Sequence, residues 1–198
     1  SREALALFLE EALKKVERAI AQGFDKKAGL YSSYFYYEAT AQAAKTQNGH
    51  SGIIPTAWTR RTLPLFLEGM VHALRVEKDP KRAAALHQAV QRSPLYDKTL
   101  SMYRVCDSLL EASEEIGRCR IFNPGWLEHQ SIWLHMEYKY LLELLRSGLY
   151  EPFYEALNKQ LIAFQPPARY GRSILENSSF LVSSAYADRK LHGAGFVA

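Results

Sequence analysis

Within Asn123-Pro124-Gly125-Trp126-Leu127-Glu128-His129-Gln130-Ser131-Ile132-Trp133-Leu134-His135 a carboxylate and an imidazole stand seven positions apart. A helix turning about 100° per residue returns Glu128 and His135 to within roughly 20° of one direction, about 10.5 Å apart along its axis. The spacing predicts a pair looking into one hollow, where a sugar or an anion would sit. Gln130, Ser131 and Asn123 crowd polar groups beside Trp126 and Trp133, and polar donors flanked by indoles are what a carbohydrate subsite requires. The plainer alternative is a helix whose early Glu complements its positive end and whose His is a satisfied side chain near the core. An acid and an imidazole on one helical face is the geometric premise on which the enzymatic reading hangs.

A second cluster runs from Tyr170 to Phe180. Arg172 offers a fork of donors for phosphate or carboxylate, and Glu176 and Asn177 carry groups suited to sugar hydroxyls. Ser173 and Glu176 equally have the spacing of a capping box. Arg60, Arg61, Glu68, His72 and His192 are lesser candidates. Glu68 and His72, four apart, read first as a local helix pair. His192 precedes Gly193-Ala194-Gly195, which reads first as a plain loop.

The elements that would position these groups are mostly helical. Apolar residues at Leu5, Leu9, Ala12, Leu13, Val16, Ala19 and Ile20 predict an amphipathic helix over Glu3–Gln22, stopped by Gly23. Tyr31 to Tyr37 is rich in strand-favouring aromatics and reads as an extended arm or short strand; Thr46 to Gly52 reads as loop. Further helices are expected over Leu63–Val76 with Thr62 as N-cap, from Asp79-Pro80 to about Arg92, and within Tyr103–Ile116. A fifth should start near Trp126 and end before Gly148, and a sixth run from Glu151-Pro152 to Pro166-Pro167. Leu95 to Met102 is ambiguous, and Tyr170 to Ala187 is mixed. The expected fold class is therefore all-α, antiparallel helix hairpins with minor short strands.

The 198 residues, 47% hydrophobic, suffice for one core, and the chain reads as a single domain or part of one. The net charge of +4 comes from scattered basic residues, which argues against nucleic acid as partner. Twelve Tyr, nine Phe and three Trp suit sugar-stacking surfaces and helical cores alike. Cys106 and Cys119 have neither a disulfide framework nor metal-ligand spacing, so no metal is expected and a reducing, cytoplasmic setting fits. No apolar run reaches membrane-helix length. P-loop, GxGxxG, HExxH and GxSxG motifs are absent. Ser1 and Ala198 both look like cut ends, which points to an incomplete segment.

At these residues the chain resembles the glycoside phosphorylases of glycoside hydrolase family 94, the cellobiose phosphorylase and β-1,2-oligoglucan phosphorylase type. Pro124, Gly125, Glu128 and His135 match the family's Pro-Gly turn, Glu and His seven residues on; His129 departs from the usual Asn. The likeness covers about Pro55 to Ala198, with further matches through Tyr138–Tyr154, Tyr170–Phe180 and Leu191–Ala198. It implies an (α/α)6 toroid, of which this chain would be about half, and inverting phosphorolysis or hydrolysis of β-glucosidic bonds in oligosaccharides. It implies phosphate as co-substrate and no organic cofactor. His135 and Arg172 would contact phosphate; Trp126, Glu128, Gln130, Glu176 and Asn177 would contact sugar. The family's general acid has no match before Glu128, so no catalytic residue is assigned and the chain alone is expected to be inactive. The alternative is a non-catalytic helical interaction module, in which the Glu128–His135 face lies under other helices. Half a toroid would also expose apolar helix faces, so self-association is expected.

Overall fold

The computed structural model describes residues 1–47 and 50–198. The chain is mixed α and β, not all-α: the described residues form six α-helices and nine strands in four small antiparallel sheets. Among the described residues no ring of paired helices forms, and the expectation of a partial toroid is overturned with the fold class.

Helix α1, Arg2–Gly23, starts where the Ser1 hydroxyl accepts the Ala4 N–H, and none of its residues is buried. Strands β1, Phe24–Asp25, and β2, Leu30–Tyr31, make a small hairpin. Then β3, Phe35–Gln47, and β4, His50–Thr62, pair as a long, largely exposed ribbon, with register shifts around Ala41. The sequence predicts an extended arm only over Tyr31–Tyr37, where the aromatics lie; beyond it Glu38 to Ala43 alternate polar and apolar, but their apolar residues are alanines, which favour strands weakly. The expected loop lies partly on Asn48 and Gly49, outside the described residues; Thr46, Ser51 and Gly52 belong to the strands.

Helix α2 is Leu67–Val76, and Thr62 does not cap it. Leu63 to Phe66 stays extended because its backbone is occupied: Asp107 N donates to Leu65 O at 2.8 Å, and Leu67 N to Val105 O at 2.9 Å. Helix α3, Pro80–Arg92, opens as expected, with the Asp79 carboxylate accepting the Lys81 N–H and Pro80 in the first turn.

No α-helix forms over Tyr103–Ile116. Strand β5, Tyr96–Asp97, pairs with β6, Met102–Tyr103, and the following chain bonds to distant partners: Tyr103 N to Glu137 Oε1, and Val105 N to Ser131 O. Two single 3-10 turns follow, at Glu114–Ile116 and Arg118–Arg120.

Strand β7, Ile132–Trp133, feeds α4, Leu134–Arg146, eight residues later than the predicted start. Then come α5, Tyr150–Gln160, a 3-10 turn at Ile162–Phe164, α6, Pro167–Tyr170, β8, Phe180–Leu181, and β9, Gly195–Phe196. The main core joins Leu67, Met70, Val71 and Leu74 of α2 to Leu86 and Val90 of α3 and to Tyr140, Leu141 and Leu144 of α4. Each such side chain taken from water stabilises the fold by about 1.5–3 kcal/mol before entropy is charged. A second cluster sets Ile132 and Leu134 against Met102, Ile162, Tyr170 and Leu181. Together these cores fix the start of α4. Among the described residues no helix is long and apolar enough to cross a membrane.

Candidate functional site

The segment from Asn123 to Ser131 is a compact succession of turns. Gly125, Leu127 and Gln130 have φ of 85°, 46° and 60°, which ends any helical path there. At its centre His129 is fully buried. Leu109 N–H donates to His129 Nε2 at 3.0 Å, so the ring proton sits on Nδ1, which donates to Phe122 O at 2.7 Å. Cys106 braces the next residues: its thiol donates to Glu128 O at 3.3 Å and accepts the Gln130 N–H at 3.4 Å. Burial pushes that thiol up to about 12, so it stays protonated. Ser131 Oγ and Trp133 Nε1 both donate to Leu127 O.

The geometric premise of one helical face therefore fails. Glu128 projects from a turn and pairs with Arg118 at 2.8 Å, its side chain 26% exposed. His135 is exposed on the first turn of α4, edge-on to Trp133 with ring centres 5.5 Å apart. Among the described residues the two share no hydrogen-bond, ion-pair or ring partner. Partial burial and the Lys139 ammonium lower the His135 pKa, and the Glu68 carboxylate works against them.

Other predicted positions divide. Gln130 is buried, and its backbone is committed to Cys106. Trp126 is half-buried among Phe180, Tyr186 and Phe196, with ring centres 5.2, 5.6 and 4.6 Å away. Glu176 and Asn177 are exposed, and Arg172 pairs with Glu176 at 3.2 Å instead of standing free. The capping box does not form, because no helix follows Ser173; its hydroxyl accepts the Leu175 N–H.

What the structure does assemble is a set of three segments distant in the sequence. Strand β8 pairs with β7 through Ile132–Leu181 and Trp133–Phe180, and with β9 through Phe180–Phe196 and Leu181–Gly195. Gly195 permits this crossing, since a Cβ there would strike the Tyr170 ring and lie 2.5 Å from Ser178 Oγ. The Tyr170 hydroxyl in turn donates to Glu176 O at 2.7 Å. His135 stands two residues beyond the Trp133 end of this sheet.

Sequence reasoning missed the polar tie between β5 and the stretch after β8. Asp97 is fully buried and accepts from Ser184 N at 2.7 Å, Ser184 Oγ at 2.8 Å and Arg104 at 3.3 Å. It missed Glu137 too, whose Oε1 accepts the Tyr103 N–H inside the core while burial raises its pKa well above the usual carboxylate range. Neither carries a local sequence signal, because the backbone groups they bind, Ser184 N for Asp97 and Tyr103 N for Glu137, lie 87 and 34 positions away.

No family model matches this chain, and no curated protein matches it.

Proposed function

We propose that this chain is part of a carbohydrate-active enzyme that cleaves β-glucosidic bonds of oligosaccharides, by inverting phosphorolysis or by hydrolysis. The observation that carries the reading is the three-stranded sheet β7–β8–β9. It joins the Pro-Gly-to-His135 segment, the Tyr170–Phe180 segment and the C-terminal glycine segment, whose residues resemble the phosphorylases but lie far apart in sequence. The helical Glu128–His135 pair no longer supports it. Support comes instead from His135, which is accessible on a first helical turn, where backbone N–H groups favour an incoming oxyanion. A lowered imidazole pKa leaves a neutral ring whose N–H donates to phosphate at pH 7.

In this reading His135 holds phosphate and no resident metal or organic cofactor takes part. Arg172, bound to Glu176, would have to exchange that carboxylate for phosphate to contribute. The test is sugar 1-phosphate release from β-linked glucosides by the full-length gene product. Release that falls at least about a hundredfold in His135→Ala supports the reading. Release of free glucose alone selects the hydrolase, and no turnover of any β-glucoside refutes both.

A second reading, a non-catalytic interaction module, is favoured by α1. Leu5, Phe8, Leu9, Leu13, Val16 and Ile20 are all more than half exposed there. An apolar helical stripe of that length is normally covered. This reading requires the chain to associate while neither glucose nor phosphate binds near His135.

A further inference from the structure

Helices α2 and α4 lie side by side and run in the same direction, their starts tied to one residue, since Leu67 N donates to Val105 O and Val105 N to Ser131 O. Toward their C-terminal ends Arg75 Nε donates to Glu143 Oε1 at 2.9 Å, and Ser147 Oγ to Leu74 O at 3.5 Å. Glu68 lies seven residues before Arg75, and His135 eight before Glu143. At about 1.5 Å per residue, both therefore sit at nearly the same height, on the first turns of neighbouring helices. The electrostatics agree, since the Glu68 carboxylate acts on the His135 ring. The sequence reading had kept the two apart, Glu68 as half of a local pair with His72.

Glu68 is held in place. The Tyr34 hydroxyl donates to its Oε2 at 3.0 Å, and His72 Nε2 lies 3.7 Å from Oε1. Tyr34 reaches α2 because residue 69 is glycine: a Cβ there would run into the Ser33 side chain, whose hydroxyl donates to Phe66 O at 3.1 Å. The Tyr34 ring also stands edge-on to Phe66, 5.7 Å away. Tyr34, Glu68 and His72 line a cavity of about 1190 Å³ between the β1–β2 hairpin and helices α2 and α3. The Glu68 side chain is 42% exposed, so its carboxylate has room for ligand hydroxyls.

A half-exposed carboxylate flanked by a phenol and an imidazole is suited to a polyhydroxyl ligand. The carboxylate accepts from two hydroxyls, while the phenol and the ring supply donors or acceptors as needed. We propose that Glu68 is the sugar-binding carboxylate of the His135 site: a saccharide in the cavity mouth places hydroxyls on Glu68 and Tyr34 while an oxyanion stands at His135. This rests on the carbohydrate reading above, and it assigns the sugar side to residues for which the likeness implies no role.

Two measurements on the full chain separate this proposal from that reading. NMR titration of the His135 ring comes first. Lys139→Gln should raise its midpoint, and Glu68→Gln, which removes the opposing charge, should lower it. An unmoved midpoint in Glu68→Gln overturns the placement of the two residues whatever ligands do. Glucose and inorganic phosphate are then titrated separately. Glu68→Gln should weaken glucose about tenfold and phosphate less than about twofold, while His135→Ala does the reverse. Glucose binding equal in Glu68→Gln and the unsubstituted chain overturns the proposal and leaves the carbohydrate reading standing. Failure of both ligands to bind the unsubstituted chain overturns both.

Discussion

His129 and Leu109 are joined by a backbone N–H donated to an imidazole Nε2 at 3.0 Å, inside a fully buried pocket. This bond, with the Nδ1 bond to Phe122, fastens two irregular stretches that have no secondary structure to hold them. Replacing His129 by Ala leaves the buried Leu109 N–H and the partly buried Phe122 carbonyl without partners, and should cost about 2–4 kcal/mol in urea unfolding. His129→Asn, the residue the resemblance leads one to expect, should cost less, because an amide oxygen can still accept from Leu109. Equal losses for the two variants would show that ring volume, not the hydrogen bonds, is what counts.

Gly125 stands at φ 85° with the Tyr186 backbone against it, and a Cβ would overlap Tyr186 N. Gly125→Ala should destabilise by about 2–4 kcal/mol and broaden the NMR signals of Tyr186 and Trp126, the rings that pack here. An alanine variant as stable as the parent would mean that this turn relaxes freely.

Two core groups give the stability opposite pH slopes. Burial lowers the His87 pKa from 6.5 to about 4, with its Nδ1 3.0 Å from the Tyr140 hydroxyl. The unfolded chain therefore binds the extra proton first, and this stabilisation, present above about pH 6.5, is lost as pH falls toward 4. About 2–3 kcal/mol is at stake, and His87→Gln should flatten the slope in that window. Glu137 acts the other way: its raised folded pKa gives stability that is full below 4.5 and lost as pH rises. Glu137→Gln should stabilise the chain at pH 8 more than at pH 5, which thermal melts at both values would measure.

Helix α1 should drive association. Its Leu9 and Leu13 side chains are 56% and 58% exposed. Sedimentation should show a species larger than the monomer, reduced to monomer by Leu9→Glu with Leu13→Glu. A parent chain that sediments as a monomer at the highest concentration would contradict this.

Helices α1 and α3 were legible in the sequence because their signals are local: apolar spacing of three and four, Asp79-Pro80 as a start, Gly23 as a stop; α5 starts where Glu151-Pro152 indicates but ends at Gln160, short of the expected Pro166-Pro167, because a separate 3-10 turn takes up Ile162–Phe164. Glu128–His135 misled because seven-residue spacing says nothing about whether a helix exists; Gly125, Leu127 and Gln130 at positive φ break it. Strands β7 and β8 exist only through partners far along the chain, and each of the strands β5 to β9 is two residues long, too short for a local periodicity to announce it. For the same reason Glu68 reads in the sequence as half of a local helix pair with His72, since the His135 ring on which its carboxylate acts belongs to a different helix far along the chain.

The most direct test of the carbohydrate account is a crystal structure of the chain grown with glucose and inorganic phosphate. The account predicts phosphate density within hydrogen-bond distance of the His135 ring, with the sugar beside it. Clear density for His135 with only water around it, at saturating concentrations of both ligands, would contradict the account.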